Sequence, residues 1–121
     1  MPRPGLLPRA LALAAALNAI PASASEAAAV IRTLEQRRCE GCNLQDADLV
    51  HADLRDSHLQ GAKLQRANLS GARLDGSNLR QADLSFTSLS GASLRGADLR
   101  GARLIGTDLR HADLTGAQLD S

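Results

Sequence analysis

Cys39 and Cys42, in the stretch "RRCEGC", are the two cysteines of the chain. A C-x-x-C spacing serves a disulfide, a thiol redox couple or half of a zinc site. Zinc needs four ligands, and no further cysteine is available to complete such a set. A redox couple of the usual kind sits at a helix N-terminus, where the dipole favours the thiolate. Here the cysteines come after a predicted helix, at its negative end. A disulfide closing so small a loop gains little from chain entropy and acts through local geometry, pinning the helix to the first coil of the repeats. The leading expectation is a structural disulfide; redox chemistry and free or intermolecular thiols are the alternatives.

Two elements must position this pair. "SEAAAVIRTLEQRR" (25–38) predicts a short helix. Ser25 is the expected N-cap, Glu26 suits the positive end of the dipole, and Arg37 and Arg38 suit the negative end. Val30, Ile31 and Leu34 share one side and need an apolar surface to dock on. After the cysteines a leucine recurs at every fifth position, from Leu44 through Leu79 to Leu119. Five residues of α-helix turn through about 500°, so these leucines make no helical stripe. A flat strand fails as well, because an odd spacing moves alternate leucines to opposite faces. The period is satisfied when the chain turns one corner per unit. Leu and a small residue two places before it then face inward, and Gly, frequent two places after it (Gly61, Gly71, Gly91, Gly101), makes the bend. Four units close a coil of twenty residues, and 42–121 holds about four coils.

The A(D/N)LXX run from Ala47 to Leu119 resembles the pentapeptide-repeat proteins. That resemblance implies an all-β solenoid, a right-handed quadrilateral β-helix, here with a short N-terminal capping α-helix. Some exported members carry a cap helix and a C-x-x-C before the first coil, and "RRCEGCNL" is similar to that arrangement. Some members mimic DNA and protect gyrase. Those have strongly acidic surfaces, whereas 42–121 carries 10 acids against 9 bases.

The remaining chain gives organisation. Residues 1–24 read as a secretory signal: Arg3 and Arg9, the apolar run Ala10–Ile20, then Pro21 and "ASA", with cleavage expected after Ala24. The domains are therefore 1–24 signal peptide, 25–41 capping helix with the C-x-x-C, and 42–121 repeats. Export to the periplasm or the extracellular space is expected, without stable membrane insertion after cleavage. The full chain has 14 basic and 13 acidic residues; without the leader it has 12 and 13. A nearly neutral chain lacks the basic surplus of a nucleic-acid binder.

Catalytic, metal and cofactor sites are not expected. On twenty-residue coils His51 and His111 share an outward column about 14 Å apart, and His58 lies on another face. A smooth column offers no concave site to shift pKa values and exclude water. The expected role is that of a non-catalytic exported module contacting an unknown protein. Phe86 and Ile105, neighbours one coil apart, are the candidate partner contact. After Leu119 only Asp120 and Ser121 remain, so the last coil is expected to pack on a second copy or a partner. Outward charges read Asn43, Lys63, Asp83, Arg103 on one face and Arg55, Asp75, Arg95 on another, which predicts coil-to-coil ladders of alternating sign.

Overall fold

In a computed structural model, the described residues are 21–120. One helix, α1 (Pro21–Gln36), precedes a square spiral of short extended segments. Each bridge of the spiral is parallel and joins residues twenty apart, from Arg38↔His58 through Lys63↔Asp83 to Asp98↔Gln118. The coil length read from the leucine period is thus the observed register.

Every side of the square rests on one local device. Leu64 accepts a hydrogen bond from Ala67 N at 3.0 Å, closing a four-residue turn whose third residue, Arg66, has φ 60°. A positive φ at that place defines the type II turn. The same conformation recurs at each corner from Gly41 to Gly116. Glycine is the cheap occupant, yet Asp46, His51, Asp56, Arg66, Gln81, Phe86 and His111 hold corners too, with φ between 57° and 60°.

In the unit 67–71 all five N–H groups find acceptors. Ala67 N closes the turn; Asn68 N donates to Ala47 O at 2.8 Å in the coil before. Leu69 N and Gly71 N donate to Ser88 O and Ser90 O in the coil after, at 2.7 and 2.9 Å. Ser70 N alone has no backbone partner, and Asn68 Oδ1 takes it at 3.1 Å. Asp48, Asp53, Asn78, Asp83, Asp98, Asp108 and Asp113 accept in the same way. The Asn/Asp preference before the leucine therefore has a backbone cause, since these side chains satisfy a donor two residues on.

The core is a stack of leucines, fully buried from Leu44 to Leu94, edged by buried Ala62, Ala67, Ala72, Ala82, Ala92 and Ala97. The helix α1 adds Ala29 and Thr33, whose hydroxyl donates to Ala29 O at 2.8 Å. The alanine rows contain substitutes that fare differently. Thr87 and Thr107 donate to Leu64 O and Leu84 O at 2.6 and 2.7 Å, whereas the buried hydroxyls of Ser57 and Ser77 have no partner among the described residues. An unpaired buried hydroxyl costs about 1 kcal/mol or more. Ser77→Ala is expected to stabilise the fold by about 1 kcal/mol and raise Tm by roughly 4 °C. Thermal melts followed by circular dichroism check it, with Thr87→Ser as the contrasting variant that gains nothing.

Three sequence expectations are corrected. Residues 21–24 form the first turn of α1, so Ser25 is inside the helix rather than at its N-cap. Pro suits the first helical turn and alanine continues it, which carries the helix back to Pro21. Its first turn holds no acid and its last no base. Arg37, with φ 54°, has left the helix, and its N–H closes the last turn on Thr33 O at 2.9 Å. Second, the repeat register reaches back to Arg38. Cys39, 1% exposed, fills a leucine position, and Cys42 N returns to Cys39 O at 3.2 Å in the standard corner. Third, the wall charges seldom pair rung to rung, because an acid and an arginine of the same unit lie closer to each other. The proposed leader lies outside the described residues up to residue 20.

Candidate functional site

Outward side chains fall into two sets: residues on the flat walls beside each leucine, and residues at the corners. On the walls, an acid before the leucine and an arginine after it are two residues apart on an extended segment and so share a face. Asp53–Arg55, Asp98–Arg100 and Asp108–Arg110 meet at 2.8, 2.7 and 2.8 Å. This geometry forms within one unit and wins over the expected ladder across coils. Lys63, Asp83 and Arg103 do pair through their backbones, but Asp83 takes its hydrogen bonds from Ser85 N and Gln65 Nε2. Arg95 likewise donates its N–H to Asp75 and reaches Asp113 at 3.8 Å. Among the described residues Asp46–Arg66, at 2.9 Å on a corner, is the ion pair between positions twenty apart, while Arg37–Asp53 at 2.9 Å and Arg80–Asp98 at 3.9 Å cross coils on a diagonal.

These pairs act on acidity. The Arg100 guanidinium, with the Arg100 N–H, holds Asp98 down to about 2, and Arg110 does the same for Asp108. The Arg55 guanidinium places Asp53 lower still, with Arg37 adding to the effect. A carboxylate held below its ordinary 3.8 stabilises the fold above that value and ceases to do so as pH falls through its folded value. Tm is therefore expected to be level near neutrality and to fall between about pH 4 and pH 2. Arg100→Gln with Arg110→Gln should flatten the fall; an unchanged slope in acid melts would dismiss the pairs as its source.

The largest exposed apolar side chains of the repeats meet where a corner residue, Phe86, adjoins a wall residue of the next coil, Ile105. Phe86 and Ile105 are 62% and 56% exposed and are joined by Phe86 N donating to Ile105 O at 2.8 Å. Gly106 stands one coil above Phe86 in the same column; a Cβ there would meet the ring at 2.6 Å. The ring thus lies along the column against bare backbone, next to Ile105. His51 rests in the same manner over Gly71. His51 and His111 do share a corner column, and His58 sits in a wall row between Arg38 and Asn78. No group of His, Cys, Asp and Glu able to hold a metal occurs among the described residues.

Concavities are shallow and polar. One open depression of about 320 Å³ is lined by Gln60, Gly61, Asn78, Arg80 and Gln81; another, of about 310 Å³, by Arg32, Gln36, Arg38, Cys39 and Glu40. The second borders the Cys39–Cys42 bridge, whose Cα atoms are 5.2 Å apart. No described helix is long and apolar enough to cross a membrane.

A parallel coil of four five-residue sides, leucine-filled and turned at positive-φ corners, defines the quadrilateral β-helix class of solenoid. The chain belongs to the pentapeptide repeat family, whose profile matches residues 42–81 and 77–116. Among solved structures it is similar to alr5209, a pentapeptide repeat protein from Nostoc Pcc 7120, at 43% identity and a TM-score of 0.51. That match covers 78% of this chain and 75% of the other. It also resembles HetL, a pentapeptide repeat protein from Nostoc sp. strain PCC 7120 involved in heterocyst differentiation regulation, at 34% identity and a TM-score of 0.41. There it covers 66% of this chain and spans about half of HetL (48%). A pentapeptide repeat protein from the Arabidopsis thaliana thylakoid lumen is 29% identical, over 68% of this chain and 65% of the other, with a TM-score of 0.42. No protein of curated function matches the chain.

Proposed function

We propose that the chain is a non-catalytic, exported interaction module that presents the Phe86–Ile105 corner to a protein partner. The domains of this reading are the leader 1–24, the capping segment 25–41 and the repeats 42–121. The observation that carries it is the pairing of two large apolar side chains, both more than half exposed, on neighbouring coils. Burial of such side chains drives protein association, and rigid corners hold them without an ordering cost. The reading is tested by affinity capture from the exported fraction with wild type and with Phe86→Ser/Ile105→Ser. The double variant is expected to melt like wild type and to lose the captured partner; equal capture would overturn the reading. Gyrase protection is not part of the proposal, because the repeats are balanced at 10 acids to 9 bases. An unaltered drug response in a supercoiling assay is the expected result.

The last coil supports a second contact. Leu104, Leu109 and Leu114 are only partly buried and Leu119 is 50% exposed. The N–H groups of Leu104, Leu109 and Leu114 have no partner among the described residues, while Gly101 N is met by Asp120 Oδ2 at 2.6 Å. With the Thr107 and Ala112 carbonyls they make a strand edge that a second copy can complete in antiparallel fashion. Light scattering is expected to show a dimer; a strict monomer at high concentration removes this contact.

A further inference from the structure

The bridge beneath α1 is asymmetric in two ways. Cys39 is 1% exposed while Cys42 is partly exposed, so Cys42 is the residue of the pair on the solvent side. The helix also offers each sulfur a different partner. Ala29 O lies 3.8 Å from Cys39 Sγ, and Arg32 Nη1 lies 3.6 Å from Cys42 Sγ. Within the disulfide these contacts have little to do, because a bridged sulfur carries no proton and accepts weakly. In the reduced pair both become productive: a Cys39 thiol has a carbonyl to donate to, and a Cys42 thiolate faces a guanidinium. The surface of α1 is complementary to a buried thiol and an exposed thiolate. Arg32 offsets at Cys42 the unfavourable position of the pair beyond the negative end of the helix. The adjoining depression of about 310 Å³ adds room for a small molecule, and there Arg38 is held by Glu40 at 2.8 Å.

We propose that Cys39–Cys42 is a thiol–disulfide exchange site for small carboxylate-bearing thiols of the glutathione type, with Cys42 as the attacked sulfur. The incoming thiolate forms a bond to Cys42 Sγ as the Cys39–Cys42 bond breaks. Cys39 Sγ leaves with the electron pair and takes a proton from water, and the thiol so formed donates a hydrogen bond to Ala29 O. A second thiolate attacks the external sulfur of the mixed disulfide and releases the Cys42 thiolate toward Arg32. Two small thiols become one disulfide, and the protein bridge gains their two electrons; the reverse sequence closes it. Opening unties α1 from the first coil. The site stands independently of what the Phe86 corner binds.

The test incubates the full chain in buffers of reduced and oxidised glutathione, alkylates free thiols and maps the adducts by mass spectrometry. The bridge is expected to open within the buffer range, with trapped glutathione on Cys42. Arg32→Ala should lower the ratio of reduced to bridged protein about threefold at a fixed buffer, and Arg32→Lys should restore most of it. Arg32 is exposed and outside the core, so circular dichroism should report an unchanged fold. Per thiolate, glutathione should open the bridge faster than cysteamine, whose charge is positive. A bridge closed at every ratio, glutathione mapped to Cys39, an Arg32→Ala ratio equal to wild type, or cysteamine as fast as glutathione would each overturn the proposal.

Discussion

Leu79→Lys is expected to abolish the folded column, with loss of the β signal and of the cooperative melt. Leu79 is fully buried, midway along the leucine stack, with Leu59 a coil before it and Leu99 a coil after. Lysines near a surface lead their ammonium out along an apolar stem. Inside a closed coil the backbone surrounds the stack, so that route is shut. The variant loses the transfer free energy of the leucine, about 2 kcal/mol, and must bury a cation or neutralise it. The sum exceeds about 4 kcal/mol, a large part of the stability of a domain of this size. Each coil is held only by its neighbours, so a lesion between the second and third coils removes support from both halves. Leu79→Ala, which leaves a cavity without a charge, should cost about 2–5 kcal/mol and still melt cooperatively. Arg80→Ala, one residue away on the wall, should shift stability by no more than about 0.5 kcal/mol. Circular dichroism melts of the three variants rank them; a Leu79→Lys melt equal to wild type would mean the leucines are not the core.

The same geometry explains both what the sequence disclosed and what it hid. An odd apolar period excludes helix and flat strand, so one corner per five residues was legible, and with it the twenty-residue register of the bridges. The polar residue before each leucine was visible, but its purpose was not. Asn68 and Asp98 are chosen for a backbone N–H two residues on, and that donor has no acceptor only once the other four are assigned. Cys39 was hidden as a core residue because the eye looks for leucine there, although its spacing of five from Leu44 carries the signal. The charge ladder across coils gives way to the shorter reach from Asp98 to Arg100 within a unit, which the spacing of twenty does not reveal. The adjacency and exposure of Phe86 and Ile105 were legible by position, as a twenty-residue coil places them on neighbouring coils. The Arg32 contact with Cys42 was not, since it depends on how α1 turns onto the first coil.

The way Phe86 lies along its column has a second large consequence, in the backbone beneath it. Gly106→Ala is expected to destabilise the protein by about 2–3 kcal/mol, from two separable causes. Gly106 has φ 66°, a conformation that costs an L-residue about 1–2 kcal/mol. The new Cβ would also stand 2.6 and 2.7 Å from Cδ1 and Cε1 of Phe86, so the ring must leave its place. Gly96 provides the control, with φ 68° and nothing within 4 Å of the added atom. Gly96→Ala should therefore show the backbone cost alone. In a Phe86→Ser background, Gly106→Ala should fall to the Gly96→Ala value, a coupling of about 1 kcal/mol between neighbours. That difference measures how firmly the ring is seated. A rigidly seated ring presents its outer face to a partner with little further loss of rotamer freedom, which the proposed contact requires. Equal costs for Gly106→Ala and Gly96→Ala in the wild-type background would show a ring free to swing aside, and the Phe86–Ile105 corner would lose its claim to be a preformed surface.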